Sequence, residues 1–106
     1  MSSRDAFVAI ADETRREILT LLRDRPTMAA GEIATRFPAA SRPGISRHLR
    51  VLRECGVVHC TRQGKERRYS VNPEPMIEIR DGFLAGFASM QTQSIKALRR
   101  KVEKRD

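Results

Sequence analysis

Ser41-Arg42-Pro43-Gly44-Ile45-Ser46-Arg47-His48-Leu49-Arg50-Val51-Leu52-Arg53-Glu54-Cys55 is the stretch around which the chain is organised. Ser41 is a side chain suited to an N-cap, and Pro43 falls in the first turn, where a missing N–H does least harm. Gly56 follows as a C-terminal stop. The spacing predicts a helix over 41–55. On a wheel of about 100° per residue one side carries Ile45, His48, Leu49, Val51, Leu52 and Cys55. The other carries Pro43, Ser46, Arg47, Arg50, Arg53 and Glu54. One face is suited to a core and the opposite face is mostly arginine and serine, which suits the major groove of DNA.

Charge distribution favours that reading over a solvated surface helix. Of a net charge of +8, residues 1–40 contribute nothing, with six Arg against six acids. Residues 41–72 carry seven Arg and Lys65 against Glu54 and Glu66, and residues 73–106 carry seven bases against five acids. Positive charge gathered into one third of a chain fits a polyanionic partner. A membrane surface would also want exposed Leu or Phe beside the bases, and the Leu residues of 41–55 are needed inside. At 106 residues the chain reads as one domain, 1–106, and with 5% aromatics its core is aliphatic, as in a helical protein. No apolar run approaches the roughly 20 residues of a membrane span. Met1–Asp5 leads straight into an amphipathic segment, so no signal peptide is expected, and two Cys make no disulfide framework. The expected location is the cytoplasm.

Upstream, residues 4–11 form a short apolar stripe, and Asp12 caps a helix from Glu13 to about Arg25, with Ile18, Leu19, Leu21 and Leu22 inside and Pro26 as the stop. A third helix is expected over about Ala29–Phe37, with Ile33, Ala34 and Phe37 at helical spacing. Two short helices, a turn and a helix with a polar outer face make a helix-turn-helix. Downstream, Val57–Arg62 and Arg67–Val71 read as a two-stranded hairpin around Gln63-Gly64-Lys65-Glu66, closed by Asn72-Pro73. This wing, about 57–72, carries Arg62, Lys65, Arg67 and Arg68 where phosphates would meet them. The fold class is mainly α with a small β-hairpin, a winged helix-turn-helix.

From about 76 to 104 the chain reads as one long helix, weakened at Gly82 and Gly86. Phe83, Phe87 and Met90 form one stripe, with Ile95 and Leu98 on a neighbouring one. This is more apolar surface than a terminal helix owes its own core. The expected partner is a second copy, giving a homodimer held through the terminal helices by Phe7, Ile10, Phe83, Phe87, Met90, Ile95 and Leu98. A two-fold dimer would present two recognition helices to two half-sites.

The pieces Ala11-Asp12-Glu13-Thr14-Arg15-Arg16-Glu17-Ile18-Leu19, Gly31-Glu32-Ile33-Ala34, Ser41 through Val58, and Gly64-Lys65 before Tyr69 resemble, in that order, the ArsR/SmtB-type winged-helix repressors. The resemblance covers nearly the whole chain. It implies a dimeric repressor that binds double-stranded operator DNA and releases it on a signal. By the family pattern base reading falls on Arg42, Ser46, Arg47 and His48, and wing contacts lie near Arg62–Arg68. With Ser41, Pro43 and Arg50, these complete the expected DNA-binding set. The family's metal sensors carry a Cys-x-Cys pair in the third helix or Asp and His ligands on the last. Here the third helix reads Glu32-Ile33-Ala34-Thr35-Arg36-Phe37, and Asp81 is followed by no His. No metal and no cofactor are therefore expected. His59 and Cys60 are strand neighbours and point to opposite faces, against the four converging ligands that Zn²⁺ wants. Two alternatives stand beside the repressor: a winged-helix module for protein or RNA, and a thiol-responsive repressor using Cys55 or Cys60. There is no P-loop, dinucleotide fingerprint or His-Glu-x-x-His, so no enzymatic activity is expected.

Overall fold

Asp5 opens the first helix of the computed structural model, which describes residues 5–90. Its carboxylate accepts from the backbone N–H groups of Phe7 and Val8 at 3.0 and 3.2 Å and starts α1, Ala6–Ile10. Ala6 and Ala9 are the buried residues of α1, whereas Phe7 and Val8 are exposed and Ile10 is half-buried. Asp12 caps α2, Glu13–Arg23, by accepting from Arg15 N at 3.0 Å. Ile18 and Leu22, one turn apart, are buried, with Leu19 and Leu21 at the margin.

The chain then departs from the expected two-stranded hairpin. Met28–Ala29 is a strand, β1, and α3 is correspondingly shorter, Ala30–Thr35. Met28 pairs with Tyr69 and Ala29 with Arg68, so the strand adds to the edge of the hairpin and makes an antiparallel three-stranded sheet with the 66–71 strand in the middle. Two residues are too few to show a period of two, and both partners lie about forty positions away, so local sequence carries no sign of this strand. Glu32 turns back to accept from Ala29 N at 3.0 Å, which fixes the strand-to-helix corner.

Ser41 caps α4, Arg42–Glu54, its Oγ accepting from Gly44 N at 3.0 Å. Ile45, Leu49 and Leu52 are each at most 2% exposed. Cys55 ends the helix and Gly56 adopts φ +75°, the left-handed conformation that lets the chain leave at once for the sheet. Strands β2, Val58–Gln63, and β3, Glu66–Val71, pair from Val58↔Val71 to Gln63↔Glu66. The turn is thus two residues, Gly64-Lys65, and each strand reaches one residue nearer the turn than the sequence spacing indicates, β2 also starting one residue later. Gly64 has φ +61° and Lys65 does not share it, the arrangement of a type II′ hairpin with glycine first. Asn72 locks the base of the wing: its N–H donates to Val57 O and its side-chain amide to Gly56 O, both at 2.9 Å. The largest fully buried side chains are Ile18, Leu22, Met28, Ile33, Leu49, Leu52 and Val57, drawn from α2, β1, α3, α4 and the residue just before β2.

The chain divides into two compact units, the second beginning at Met76. Helix α5, Glu74–Glu78, spans that boundary. A π-helical turn follows, Ile79–Leu84, and residues 85–90 return to α-helix. Gly82 lies inside the π turn, at the first of the two places where glycine weakens the expected helix. Ile95 and Leu98 lie outside the described residues. Among the described residues no helix is long and apolar enough to cross a membrane.

Candidate nucleic-acid interface

The outer face of α4 is held in place from behind. Arg15, on the first turns of α2, donates through Nε to Ala9 O at 3.0 Å and through Nη2 to Val8 O at 2.9 Å. It thereby bonds two carbonyls in the last turn of α1, while Arg16 Nη1 donates to the third, Ile10 O, at 2.7 Å. Arg15 Nη1 lies 3.3 Å from His48 Nδ1 on α4. Asp12 Oδ2 stands 3.8 Å from the same ring nitrogen. The Arg15 backbone N–H, with help from His48 and the Arg15 charge, holds the Asp12 carboxyl below the usual carboxylate range. One arginine thus ties α1, α2 and α4 together. Sequence reasoning did not single it out, although its spacing three residues after a capping Asp was in view. His48, half-buried in this cluster, is a packing contact first.

With α4 fixed, Arg42, Pro43, Ser46, Arg47, Arg50 and Arg53 are all exposed. Arg47 and Arg53 make no side-chain hydrogen bond or ion pair among the described residues. Arg50 leans toward Glu54 at 3.7 Å, an exposed i,i+4 pair of small energetic weight. Ser41 is exposed as well, but its hydroxyl is engaged in the cap.

The wing separates its bases by face. Arg62 and Arg67 are directly paired across β2 and β3, so both project from one side of the sheet, shared with Cys60 and Tyr69. Like charges placed opposite each other weaken a hairpin unless an anion lies between them. Lys65 is exposed at the tip. Arg68 is placed otherwise than expected. Successive strand residues alternate, so its guanidinium leaves from the opposite face, where it donates to Thr27 Oγ1 at 2.9 Å and to Glu66 Oε2 at 3.3 Å. Glu32 Oε1 lies 3.6 Å away, and the side chain is 23% exposed. Arg68 fastens the wing to β1 and α3 and has little left to offer a phosphate.

Between α4 and the wing lies a cleft of about 290 Å³, bounded by Arg47, Arg50 and Arg53 on one side and by Arg67 and Tyr69 on the other. Burial pushes the Tyr69 hydroxyl above its ordinary value, the neighbouring Cys60 sulfur adds to the rise, and the Arg67 guanidinium opposes it. A second cleft, of about 390 Å³, runs between the wing tip and α3 and contains the acids Glu32 and Glu66 beside Arg62, Lys65 and Arg67. Cys55 is buried and Cys60 half-buried, both as free thiols. Among the described residues no three His, Cys, Asp or Glu converge as a metal site would require. Of the residues expected at a subunit interface, Phe7, Phe83, Phe87 and Met90 are 46–60% exposed. Phe83 and Phe87 meet edge to face with ring centroids 5.1 Å apart.

The chain matches a helix-turn-helix domain model over residues 10–61. It is 44% identical over 68 residues to the transcriptional repressor SdpR of Bacillus subtilis, covering 64% of this chain and 73% of that protein. The arsenical resistance operon repressor of Escherichia coli is 39% identical over 67 residues, covering 63% of this chain and 56% of that repressor. Among solved structures, an ArsR-like transcriptional regulator from Rhodococcus sp. RHA1 superposes with a TM-score of 0.69 at 34% identity, over 92% of this chain and 87% of the other.

Proposed function

This chain belongs to the ArsR family of winged helix-turn-helix regulators and is a DNA-binding transcriptional repressor; from that premise we propose how it binds. It acts in the cytoplasm as a homodimer on an operator with two-fold symmetry. Each subunit lays α4 in a major groove, with Arg42, Ser46 and Arg47 at base edges, and rests Arg62, Lys65 and Arg67 of the wing on the adjacent backbone. The observation that carries this reading is the bare outer face of α4, held rigid from behind through His48 and flanked by wing arginines that repel one another. The exposed Phe83, Phe87 and Met90 stripe supports the dimer. An obligate interface of that kind buries upwards of about 2,000 Å² in total. The family is one of regulators and not of enzymes.

Selection of bound duplexes from a random pool tests the reading and returns the operator. The expected product is an inverted repeat whose half-sites are centred about 34 Å apart, one helical turn. A pool that stays random after repeated rounds, or preferential retention of a structured RNA competitor over duplex DNA, would refute it.

A further inference from the structure

The backbone strand that separates the groove holding α4 from the groove under the wing must cross the space between those two elements. In this chain that space is the cleft above Tyr69. Four arginines line it, Arg47, Arg50, Arg53 and Arg67, and no carboxylate does. Its volume of about 290 Å³ far exceeds the roughly 10–15 Å³ that admits one water. Gathering like charges over an apolar floor of Leu49 and Tyr69 destabilises the free protein, and a bound anion relieves it. The neighbouring cleft is different, since Glu32 and Glu66 offset two of its three bases.

Resting on the DNA-binding reading above, we propose that the cleft between α4 and β3 is a seat for one phosphate group, with Arg53 and Arg67 as its two opposed cationic jaws. Arg50 is drawn aside by Glu54, and Arg47 faces the bases. Arg53 lies six residues beyond Arg47, roughly 9 Å further along the helix axis at about 1.5 Å per residue. That carries it out of the part of the groove where base edges are read and toward its wall. Its partner Arg67 stands on the same sheet face as Arg62, turned toward α4. Two planar guanidinium groups on opposite sides of a cleft suit a tetrahedral phosphate oxyanion, which accepts charge-assisted hydrogen bonds from both. Arg53 is therefore a DNA-contact residue, on the polar face that sequence patterning turns toward the groove but outside the expected DNA-binding set.

The phosphate has two sources, the duplex backbone or a free phosphorylated small molecule, and two arms distinguish them. In the first, the selected duplex is prepared with single uncharged methylphosphonate linkages, walked along one half-site. Wild type should lose about tenfold in affinity at one linkage. Arg53→Gln and Arg67→Gln should each lose that factor on the unmodified duplex and less than twofold more when the same linkage is neutralised. Arg53→Lys should recover part of the binding, and unchanged melting of each variant shows that the fold is intact. In the second arm, inorganic phosphate is titrated into DNA-free protein at constant ionic strength. Saturable binding lost in Arg53→Gln supports the seat with free phosphate as its ligand. Independent, additive effects of Arg53→Gln and every methylphosphonate, together with no phosphate binding in the second arm, would overturn the proposal while leaving sequence-specific DNA binding untouched. Failure of wild type to select any duplex would strike the broader reading, and the second arm would then decide the seat by itself.

Discussion

Arg68→Ala separates a structural arginine from the phosphate-facing ones beside it. The wild-type side chain is 23% exposed and donates to Thr27 Oγ1 at 2.9 Å, with Glu66 at 3.3 Å and Glu32 at 3.6 Å. A hydrogen bond from a charged donor to a neutral acceptor contributes about 1 kcal/mol net in a partly buried setting. The two glutamates are more than half exposed, so each pair contributes about 0.2–1 kcal/mol. Their sum is about 2 kcal/mol, and for a unit of this size that is about 10 °C in melting temperature. The loss should be read by thermal unfolding in moderate salt. On random duplex DNA the same variant should keep the wild-type dependence of log K on log salt, because Arg68 spends its donors inside the protein. Arg67→Ala should do the reverse, melting near wild type and flattening the salt slope by about 0.9. A normal melting temperature for Arg68→Ala combined with a flattened slope would refute the assignment.

Three further outcomes follow from the same geometry. Asp12→Ala should cost about 1 kcal/mol in thermal unfolding at neutral pH, the usual loss of an N-cap. The folded-state pKa of Asp12 is depressed, so its contribution is fully present above the ordinary value of about 3.8 and vanishes as pH falls through the lower folded value; a wild-type-to-mutant difference that grows on acidification would contradict this. Phe87→Asp should convert a dimer of twice the chain mass to monomer in sedimentation, since it sets an unpaired charge in an apolar contact; a monomeric wild type would remove the interface altogether. Stoichiometric Zn²⁺, Cd²⁺ or arsenite should leave DNA binding unchanged in a gel shift, because the third helix offers no thiolate pair; release that Cys55→Ser or Cys60→Ser abolishes would show that these thiols sense metal.

What could be read before the structure was known divides along physical lines. The helix from Ser41 to Cys55 was legible because its cap, its proline, its apolar period and its glycine stop all lie within sixteen residues. The hairpin was legible for the same reason, since Gly64 sets the turn between a β-branched run and a second short strand closed by Asn72-Pro73. Strand β1 was not, because Met28 and Ala29 become a strand only by pairing with Tyr69 and Arg68. Arg67 and Arg68 look alike as charges, and only the alternation of β3 sends one to the cleft and the other back to Thr27 and Glu32. The alternation that set His59 and Cys60 apart applies equally to this pair. Arg15 was overlooked because its partners, two carbonyls and a ring nitrogen thirty-three positions away, leave no trace in local pattern. Arg53 shared its polar face with Arg47 in the sequence pattern, but nothing local showed that β3 supplies the opposite wall of a cleft beside it.

The claim at the centre is that α4 reads bases, and Arg47→Ala tests it most directly. Arg47 sits within the first two turns of α4, exposed and free of side-chain partners among the described residues. A guanidinium bonded bidentately to guanine discriminates by about 1–3 kcal/mol. Binding curves on the selected operator and on a scrambled duplex, over a salt series, should show the variant losing about 10–100-fold on the operator, with a far smaller change on the scrambled sequence. Equal losses on both sequences, with the specificity ratio unchanged, would mean that α4 does not enter the groove in this way.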